Sequence, residues 1–471
     1  MIRPPTPPTP RVFLWGLLVL QALSFALHFY GLSRFNTLVF DETAYARFGH
    51  NYLNGLTVFD VHPPLGKLLV GAGMWFGDLM GYAGEPTNLL SGAERAPWAY
   101  RWVAALFGST LAVLLAGITW ELFHRWRMAL LSGVLALLCG IFLVEARYAL
   151  INVFMVTFGL FGHWLWLRGL SARTATRRHL LWLFSGLSLG CCVSVKWSGL
   201  SFLGVVWAIT LLGWLGQSRA TTPTRFSGMR WLALLLYFVV APTLLYVAQW
   251  TPHLLVSGKT LSQEHSEMLR YHQSVKDDKS EHPYCSRWTT WPFMLRPISL
   301  VYETQAAPVG ASTSGAAQAP DPAPATVRAV HEIINPLLAW CACIAVLWVT
   351  AAFAFKWERL ALSDRPEPEQ LRHVWTLGYV LLGFLSAWLP WAMVGRCQFL
   401  YLYMPSLAFA LIASAWTVDY LLAHPLRAMR WTGYCVVLGV AGSFLFFLPI
   451  YLGWPISQAA FYARMWLVSW I

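Results

Sequence analysis

The residues best suited to chemistry lie in the segment FDETAYARFGHNYLNGLTVFDVHPPLGK, which runs from Phe40 to Lys67. It begins with an acidic pair, Asp41-Glu42, placed directly after an apolar stretch. Carboxylates at the edge of a hydrocarbon layer are costly, so their presence there indicates a function. A carboxylate within hydrogen-bonding reach can act as a general base towards a hydroxyl group. The alternative is that the pair only ends a helix among lipid headgroups.

The same segment ends in a stiff turn, His62-Pro63-Pro64, followed closely by Lys67. Two prolines fix an extended backbone and remove two N–H donors, so the turn aims the lysine that follows it. We interpret His62 as a hydrogen-bonded anchor of this loop, with a second proton carrier as the alternative. Lys67 is a candidate to bind an anion, and a snorkelling lysine at the start of a surface helix is the alternative.

The elements that must position these residues are membrane helices. Of 471 residues, 57% are hydrophobic and only 11% are charged. Apolar segments of about 20 residues recur, and each is long enough to cross a bilayer. The sequence therefore predicts an all-α polytopic membrane protein with about eleven spans: 12–30, 99–121, 128–145, 150–168, 179–196, 198–216, 230–250, 333–355, 373–393, 398–421 and 431–452.

The charge of the loops predicts the orientation. Short loops on one side carry most of the Arg and Lys residues, which makes that side cytoplasmic and places the C-terminus outside. In a membrane protein the net charge of +12 reflects orientation and contact with membrane lipids, and it does not suggest a nucleic acid. The outer loop 31–98 contains Leu65 to Met80, a weaker apolar run expected to form a surface helix.

Three regions follow from this topology. Residues 1–251 form a transmembrane catalytic region, residues 252–332 form a second outer loop, and residues 333–471 form a C-terminal transmembrane region. The second loop includes a Pro/Ala/Ser/Gly-rich stretch, Ala307 to Ala325, which is expected to be a flexible tether. The cysteines form no zinc-like pattern, and only Cys285 and Cys397 fall on the outer side, where a disulfide between them is left open.

Several basic residues break the orientation rule, because they lie at the outer ends of spans. A group of Arg and Lys at one membrane face, beside carboxylates, suits recognition of a phosphate whose lipid tail lies in the bilayer. A transporter would instead place ionisable groups near the midplane and show repeats. The basic residues are Arg101, Arg147, Lys196, Arg296 and Arg396, and Asp41, Glu42, His62, Lys67 and Glu145 are expected at the same level.

At these residues the chain resembles the protein O-mannosyltransferase family, membrane glycosyltransferases of the GT-C type. The resemblance covers most of the chain, including its C-terminal four-span-like region. The segments that carry it are FDE at Phe40, DVHPPLGK at Asp60, YRWVAALFG at Tyr100, VEARYALINVF at Val144, SVKWSGL at Ser194, HPYCSRWTTWPFMLRPI at His282 and WLPWAMVGRCQFLYLYMPSLAF at Trp388.

The resemblance implies transfer of mannose from a polyprenyl-phosphate carrier to Ser or Thr hydroxyls of acceptor proteins, at the outer face of a membrane. It places Asp41 and Glu42 at the catalytic pair and Arg101 near the donor phosphate. The other basic residues predicted to bind that phosphate are Lys67, Lys196, Arg396 and Arg147, and the residues predicted to position the loops are His62, Pro63, Pro64 and Arg296.

The predicted chemistry needs one base and several cations. We expect Asp41 to be the base, following the family, and Glu42 to orient an acceptor or a basic residue. Arg and Lys can meet the charge on a leaving phosphate without a metal, so no cofactor and no metal are expected. Direct displacement inverts the anomeric carbon.

Three departures from the family pattern stand out. His28 replaces a usual Arg, Asn152 replaces a usual Asp, and a large insert of eukaryotic members is missing between spans seven and eight. The missing insert indicates a bacterial enzyme, expected in the inner membrane with its site on the periplasmic side. Two alternatives remain: a transferase of another polyprenyl-phosphate sugar, such as aminoarabinose, to lipid A or a glycan, and a flippase of lipid-linked sugars.

Overall fold

Membrane-length helices make up most of the chain. The structure, a computed structural model, describes residues 10–82, 84–90, 92–217, 225–274, 282–305, 326–363 and 367–471. Within these residues, ten helical segments are long and apolar enough to cross a membrane: Arg11–Phe29, Pro97–Phe123, Asn152–Leu170, Ala175–Val195, Trp197–Gln217, Trp231–Ser257, Pro336–Ala361, Pro368–Met393, Leu400–Ala423 and Arg427–Leu452. They match ten of the eleven predicted spans, so the prediction of a polytopic helical membrane protein is confirmed.

The remaining predicted span, 128–145, is broken in two. It forms the helices Trp126–Leu137 and Gly140–Glu145, separated at Leu138 and Cys139. The stretch 126–145, including the break, covers 20 residues, and a helix of that length is about 30 Å long, close to the thickness of the hydrocarbon core. The two short helices therefore together count as one span, so the predicted alternation of successive spans between the two sides is unchanged. Glu145 lies at the same end of the bundle as Asn152.

The other helices are shorter and lie mainly in the two long loops: Glu42–Leu53, Leu65–Met80, Leu261–Ser274 and Gln458–Tyr462. The second of these is a helix with the bounds predicted for the surface helix, and its place at the membrane surface stays a prediction. It packs closely on the helix that carries Glu42. A Cβ built on Gly49 would lie 2.9 Å from the backbone N of Gly71, so these two backbones approach as only glycines allow.

In the described residues, five short strands form two antiparallel sheets. Strands β1 (Asn88–Leu90) and β2 (Ala93–Arg95) form a hairpin in the first outer loop. Strands β3 (Ile298–Gln305), β4 (Thr326–Glu332) and β5 (Ile456–Ser457) form a sheet in the order β3-β4-β5. The register places Ile298 opposite Glu332, which lies at the end of β4. The expected tether, 307–325, lies outside the described residues.

A disulfide joins two segments on the side of the bundle where the acidic pair lies. Cys285 and Cys397 are bonded, with their Cα atoms 5.3 Å apart, so the pairing that the sequence left open is present. Beside it, the backbone N–H of Ser286 donates to the carbonyl of Gln398 at 2.8 Å. The loop before β3 is thus fastened to the loop that carries Arg396. The division into three regions stays a prediction.

Candidate active site

Asp41 and Glu42 point in different directions, although they are neighbours in sequence. Asp41 is the residue before the helix Glu42–Leu53, and Phe40 before it has a left-handed φ of 44°. This conformation is unfavourable for a bulky residue and persists only where the surroundings hold it. The Phe40 ring lies edge-on to Phe399 at 5.4 Å between centroids. The turn leaves Asp41 half-buried and sends Glu42 into the protein, where it is fully buried.

Glu42 forms a two-pronged ion pair with Arg101, which is also buried. The Nε of Arg101 donates to Oε1 of Glu42 at 2.8 Å, and Nη2 donates to Oε2 at 2.7 Å. The same carboxylate accepts the backbone N–H of Ala149 at 2.9 Å and that of Val39 at 3.2 Å. Glu42 therefore ties three segments together, and both of its oxygens are occupied.

Arg101 uses all of its donors on the protein. Besides the two bonds to Glu42, its Nη1 donates to the carbonyls of Leu32 at 2.9 Å and Phe35 at 2.8 Å, and Nη2 donates to that of Thr37 at 3.0 Å. A guanidinium has five N–H groups, and these bonds account for all five. Contact with a donor phosphate would require one of them to break. These bonds hold the loop before Asp41, and the predicted contact of Arg101 with the donor phosphate stays a prediction, which they do not favour.

Two further predicted cations are also engaged by backbone carbonyls. Arg147 donates to the carbonyls of Leu27 at 3.0 Å and Tyr30 at 2.5 Å, so it caps the C-terminal end of the helix Arg11–Phe29. Arg296 donates to the carbonyls of Pro283 at 2.8 Å and Ser469 at 2.6 Å. Both residues fix local structure. The predicted roles of Arg147 at the donor phosphate and of Arg296 in positioning the loops stay predictions, of which these contacts favour the second.

The loop with His62-Pro63-Pro64 is held by Lys67 and Asp60. The ammonium of Lys67 is buried and contacts Asp60 Oδ2 and the carbonyl of His62, each at 2.6 Å. Pro63 and Pro64 are buried, and the helix Leu65–Met80 starts directly after them. Lys67 thus fastens the turn in front of it. Its predicted role at the donor phosphate stays a prediction, which these contacts do not favour.

Asp41 lies among polar groups from distant parts of the chain. The hydroxyl of Tyr401 donates to its Oδ2 at 3.4 Å. Burial raises the pKa of Asp41 above its ordinary value, and nearby Asp60 raises it as well, whereas the charge of Lys196 and the Tyr401 hydroxyl lower it. A half-buried carboxylate with a raised pKa and a nearby cation suits a general base.

Lys196 is held beside Asp41 by a short chain of hydrogen bonds. Its Nζ donates to Oδ1 of Asn152 at 2.6 Å and lies 5.2 Å from the ring centroid of Tyr401. The Nδ2 of Asn152 in turn reaches both oxygens of Glu145, each at 3.2 Å. Lys196 makes no direct ion pair with a carboxylate in the described part of the chain, so its positive charge is available to a ligand beside Asp41.

Arg396 is a further cation whose charge reaches this region. It lies next to the disulfide, is half-buried, and makes no hydrogen bond or ion pair with any residue that the structure describes. Its charge acts on His62, whose pKa is lowered well below the ordinary value by burial and by Lys196, Lys67 and Arg396. His62 is therefore neutral, and its ring lies 6.4 Å from that of His272.

The structure thus brings Asp41, Lys196, Arg396 and His62 together and gives Glu42, Arg101, Arg147, Lys67 and Arg296 protein partners. Sequence reasoning missed Tyr401 and Asp60, which act directly on the Asp41 carboxyl. Both lie inside segments that carry the family resemblance, WLPWAMVGRCQFLYLYMPSLAF and DVHPPLGK. The presence of Asp60 and Tyr401 as polar residues inside those two segments is the signal that could have identified them.

Comparison with known proteins agrees with this architecture. Two family models match consecutive parts of the chain: "Dolichyl-phosphate-mannose-protein mannosyltransferase" over residues 18–257 and "C-terminal four TMM region of protein-O-mannosyltransferase" over residues 257–470. A relative from Mycolicibacterium smegmatis, named polyprenol-phosphate-mannose–protein mannosyltransferase, is 25% identical, and the match covers 92% of this chain and 88% of that protein.

Solved structures show the same fold. The Saccharomyces cerevisiae protein O-mannosyltransferase Pmt1-Pmt2 complex bound to the sugar donor superposes with a TM-score of 0.78 at 15% identity, over 98% of this chain and 93% of that one. ArnT from Cupriavidus metallidurans, bound to undecaprenyl phosphate, gives a TM-score of 0.54 at 12% identity, over 93% of this chain and 64% of that one.

The fold and the helices define a multi-pass helical membrane protein with the GT-C fold. Because the family models together match nearly the whole length, the chain belongs to the protein O-mannosyltransferase family. The resemblance seen in the sequence is thereby confirmed.

Proposed function

We propose that this protein transfers a mannosyl group from polyprenyl-phosphate mannose to Ser or Thr hydroxyls of proteins, at the outer face of the bacterial inner membrane. The observation that carries the proposal is the arrangement around Asp41: this half-buried carboxylate has no ion-pair partner among the described residues and lies near the cation Lys196, and the charge of Arg396 reaches Lys196 and Tyr401. Membership of the family supports the choice of mannose and of a protein acceptor.

The chemistry assigns one task to each group. Asp41 takes the proton from the acceptor hydroxyl as its oxygen bonds to the anomeric carbon. The bond from that carbon to the phosphate oxygen breaks, and its electron pair leaves on the lipid phosphate. Lys196 and Arg396 meet the negative charge that grows there. Because attack and departure occur on opposite faces of the sugar, the configuration inverts. These steps use no metal, and metal independence remains part of the proposal.

Glu42 supports this chemistry without touching the substrates. It locks Arg101, and through Arg101 the loop carbonyls of Leu32, Phe35 and Thr37, directly before the turn at Phe40. That lock holds the strained Phe40 and thereby aims Asp41. The two residues of the acidic pair therefore have different roles: Asp41 takes the proton, and Glu42 holds Asp41 in position.

The test is a transfer assay on membranes that contain the protein. We expect labelled mannose to pass from polyprenyl-phosphate mannose to a Ser/Thr-rich peptide, and not to the same peptide with every Ser and Thr replaced by Ala. Transfer that needs no added divalent cation and persists in a chelator supports the metal-free route. No transfer to any hydroxylated peptide, with folded protein present, would contradict the proposal.

The second candidate is transfer of another polyprenyl-phosphate sugar to lipid A or a glycan. It is favoured only by the shared fold with ArnT from Cupriavidus metallidurans, whose TM-score is lower than that of the yeast complex. Offering polyprenyl-phosphate aminoarabinose and lipid A in the same assay separates the two. A flippase would leave the donor intact, so release of free polyprenyl phosphate excludes it.

A further inference from the structure

Glu332 is a buried carboxyl group that the reaction described above does not use. It lies at the end of β4 and is fully buried. Within the described part of the chain, no N–H or O–H group donates to either of its oxygens. Burying an ionised carboxylate without hydrogen-bond donors is very unfavourable, so this residue must lower the cost in another way.

Its partner is a second buried carboxyl group, Glu145. The two carboxyl groups lie within hydrogen-bonding distance of each other, and both side chains are fully buried. Two ionised carboxylates cannot share such a site, because like charges in a low dielectric repel strongly. A carboxylic acid next to a carboxylate, however, supplies one O–H donor and forms a strong hydrogen bond. One of the two residues therefore carries a proton.

The hydrogen bonds beyond Glu145 decide which residue carries it. Lys196 can only donate, so the amide oxygen of Asn152 must face it, at 2.6 Å. The amide N–H2 of Asn152 then faces Glu145, whose two oxygens lie 3.2 Å away. The amide lies equally close to both oxygens of Glu145, as suits an ionised carboxylate, whereas a protonated Glu145 would turn a hydroxyl oxygen, the poorer acceptor, towards it. This geometry favours the carboxylate on Glu145 and the proton on Glu332.

We propose that Glu332 is a positioning residue for the transfer reaction: a neutral carboxylic acid that donates its O–H to Glu145 and so holds Asn152 and Lys196 in place beside Asp41. The last link of this inference rests on the proposed function, since it is there that Lys196 meets the donor phosphate. The chain of contacts runs from the end of β4 to the site through Glu332, Glu145, Asn152 and Lys196.

The surroundings of Glu332 agree with a neutral acid. Burial raises its pKa well above the ordinary value, and the charges of Glu145 and Asp41 raise it further. Tyr401 is the other titratable group that senses Glu332, and Lys196 faces the pair from behind Glu145. Above that raised pKa, both carboxyl groups are ionised, the pair repels, and the hold on Asn152 and Lys196 is lost.

A first experiment measures stability against pH and needs no substrate. A carboxyl group whose pKa is raised on folding stabilises most below its ordinary pKa and loses that contribution as the pH rises towards its folded value. Between about pH 5 and pH 9 the Tm of wild type should therefore fall relative to that of Glu332→Gln, whose amide keeps an N–H donor and cannot ionise. Glu303→Gln, on the neighbouring strand and half-exposed, is the matched control and should run parallel to wild type.

A second experiment follows the donor KM across the same pH range. Wild type should show a rise in donor KM on the basic side, and Glu332→Gln should stay within about threefold of its neutral value throughout. Glu332→Leu, which has no donor, should raise the donor KM at every pH. The inference would be overturned if the Tm values of wild type and Glu332→Gln changed with pH in the same way. It would also be overturned if the donor KM of Glu332→Gln rose at basic pH as that of wild type does. If wild type itself transfers no mannose, the proposed function fails, and the Tm curves still decide the state of Glu332.

Discussion

Arg101 and Glu42 lie 59 positions apart in the chain and meet through two parallel hydrogen bonds of 2.8 and 2.7 Å, with both side chains buried. Three backbone carbonyls from the loop between residues 32 and 37 complete the shell around the guanidinium. The second residue of the acidic pair is therefore part of the framework that holds the first.

The first prediction concerns this framework. Arg101→Lys should lower the free energy of unfolding by about 3–5 kcal/mol, because one ammonium cannot serve five acceptors and buried charges lose their partners. Thermal unfolding of the purified protein in detergent measures it, with the exposed Arg173→Lys as control. Unchanged stability together with weakened donor binding would instead return Arg101 to the phosphate role predicted from the sequence.

The second prediction tests the different roles that the sequence predicted for two arginines. Arg396 has no protein partner in the described residues, whereas Arg296 is bound to the carbonyls of Pro283 and Ser469. Losing one charge-assisted phosphate contact costs about 1.5–3 kcal/mol, so Arg396→Ala should raise the donor KM about tenfold to a hundredfold. Arg296→Ala should leave it nearly unchanged.

Titrations of donor and acceptor peptide on both variants provide the measurement. The KM for the acceptor peptide should stay unchanged in both Arg396→Ala and Arg296→Ala. A shift of the peptide constant in Arg396→Ala, with the donor constant unchanged, would mean that this cation contacts the acceptor.

Much of this architecture was predictable from the sequence, for identifiable physical reasons. Membrane spans can be recognised in a sequence by their length and apolarity, and ten of the eleven predicted segments are membrane-length helices. The break at Leu138 and Cys139 was not predictable, because the flanking residues are as apolar as those of a continuous span. The proximity of Lys196 and Arg396 also followed, since both are basic residues that violate the predicted charge bias at the same ends of the spans.

The sequence could not show which of the predicted cations lacks a protein partner in the described residues. The partners of Arg101 and Arg147 are mostly backbone carbonyls of the segment between Leu27 and Thr37, and carbonyls leave no residue-type signal. Tyr401 lies 360 positions from Asp41, so nothing local connects them. The sequence also could not decide whether Cys285 and Cys397 form a disulfide, because two cysteines predicted on the same side permit a bond but do not require one.

The third prediction uses the opposite effects of two charges on Asp41. The charge of Lys196 lowers the pKa of Asp41, and that of Asp60 raises it. The base works when deprotonated, so kcat at saturating donor should rise with pH through the pKa of Asp41. Lys196→Met should move this acid limb to higher pH, and Asp60→Asn should move it to lower pH.

The measurement is a pH–rate profile of each variant at saturating donor and peptide. Shifts of the same sign in both variants, or a limb that moves in neither, would contradict the role of Asp41 as the titrating base.

The fourth prediction tests the orientation. The tether that the sequence places outside lies beyond the described residues, so the probe sites are Thr304 on β3 and Thr176 at the start of the helix Ala175–Val195, both exposed. In a background with the exposed Cys435 replaced by Ser, Thr304→Cys should react with a membrane-impermeant maleimide in intact cells. Thr176→Cys should react only after permeabilisation. The reverse pattern would place the site on the cytoplasmic side.

The central claim is that Asp41 is the base and does not hold the donor, and the substitution Asp41→Asn tests it most directly. Its shape is retained and its basicity is lost, so kcat should fall by about a hundredfold to ten-thousandfold. The Kd for polyprenyl-phosphate mannose should stay within about threefold of wild type, since the phosphate is held by Lys196 and Arg396. Asp419→Asn, the same change in an ion pair with Arg125, is the control and should keep full transfer. The account predicts a folded Asp41→Asn protein that binds donor and does not transfer mannose, and transfer within a few-fold of wild type would contradict it.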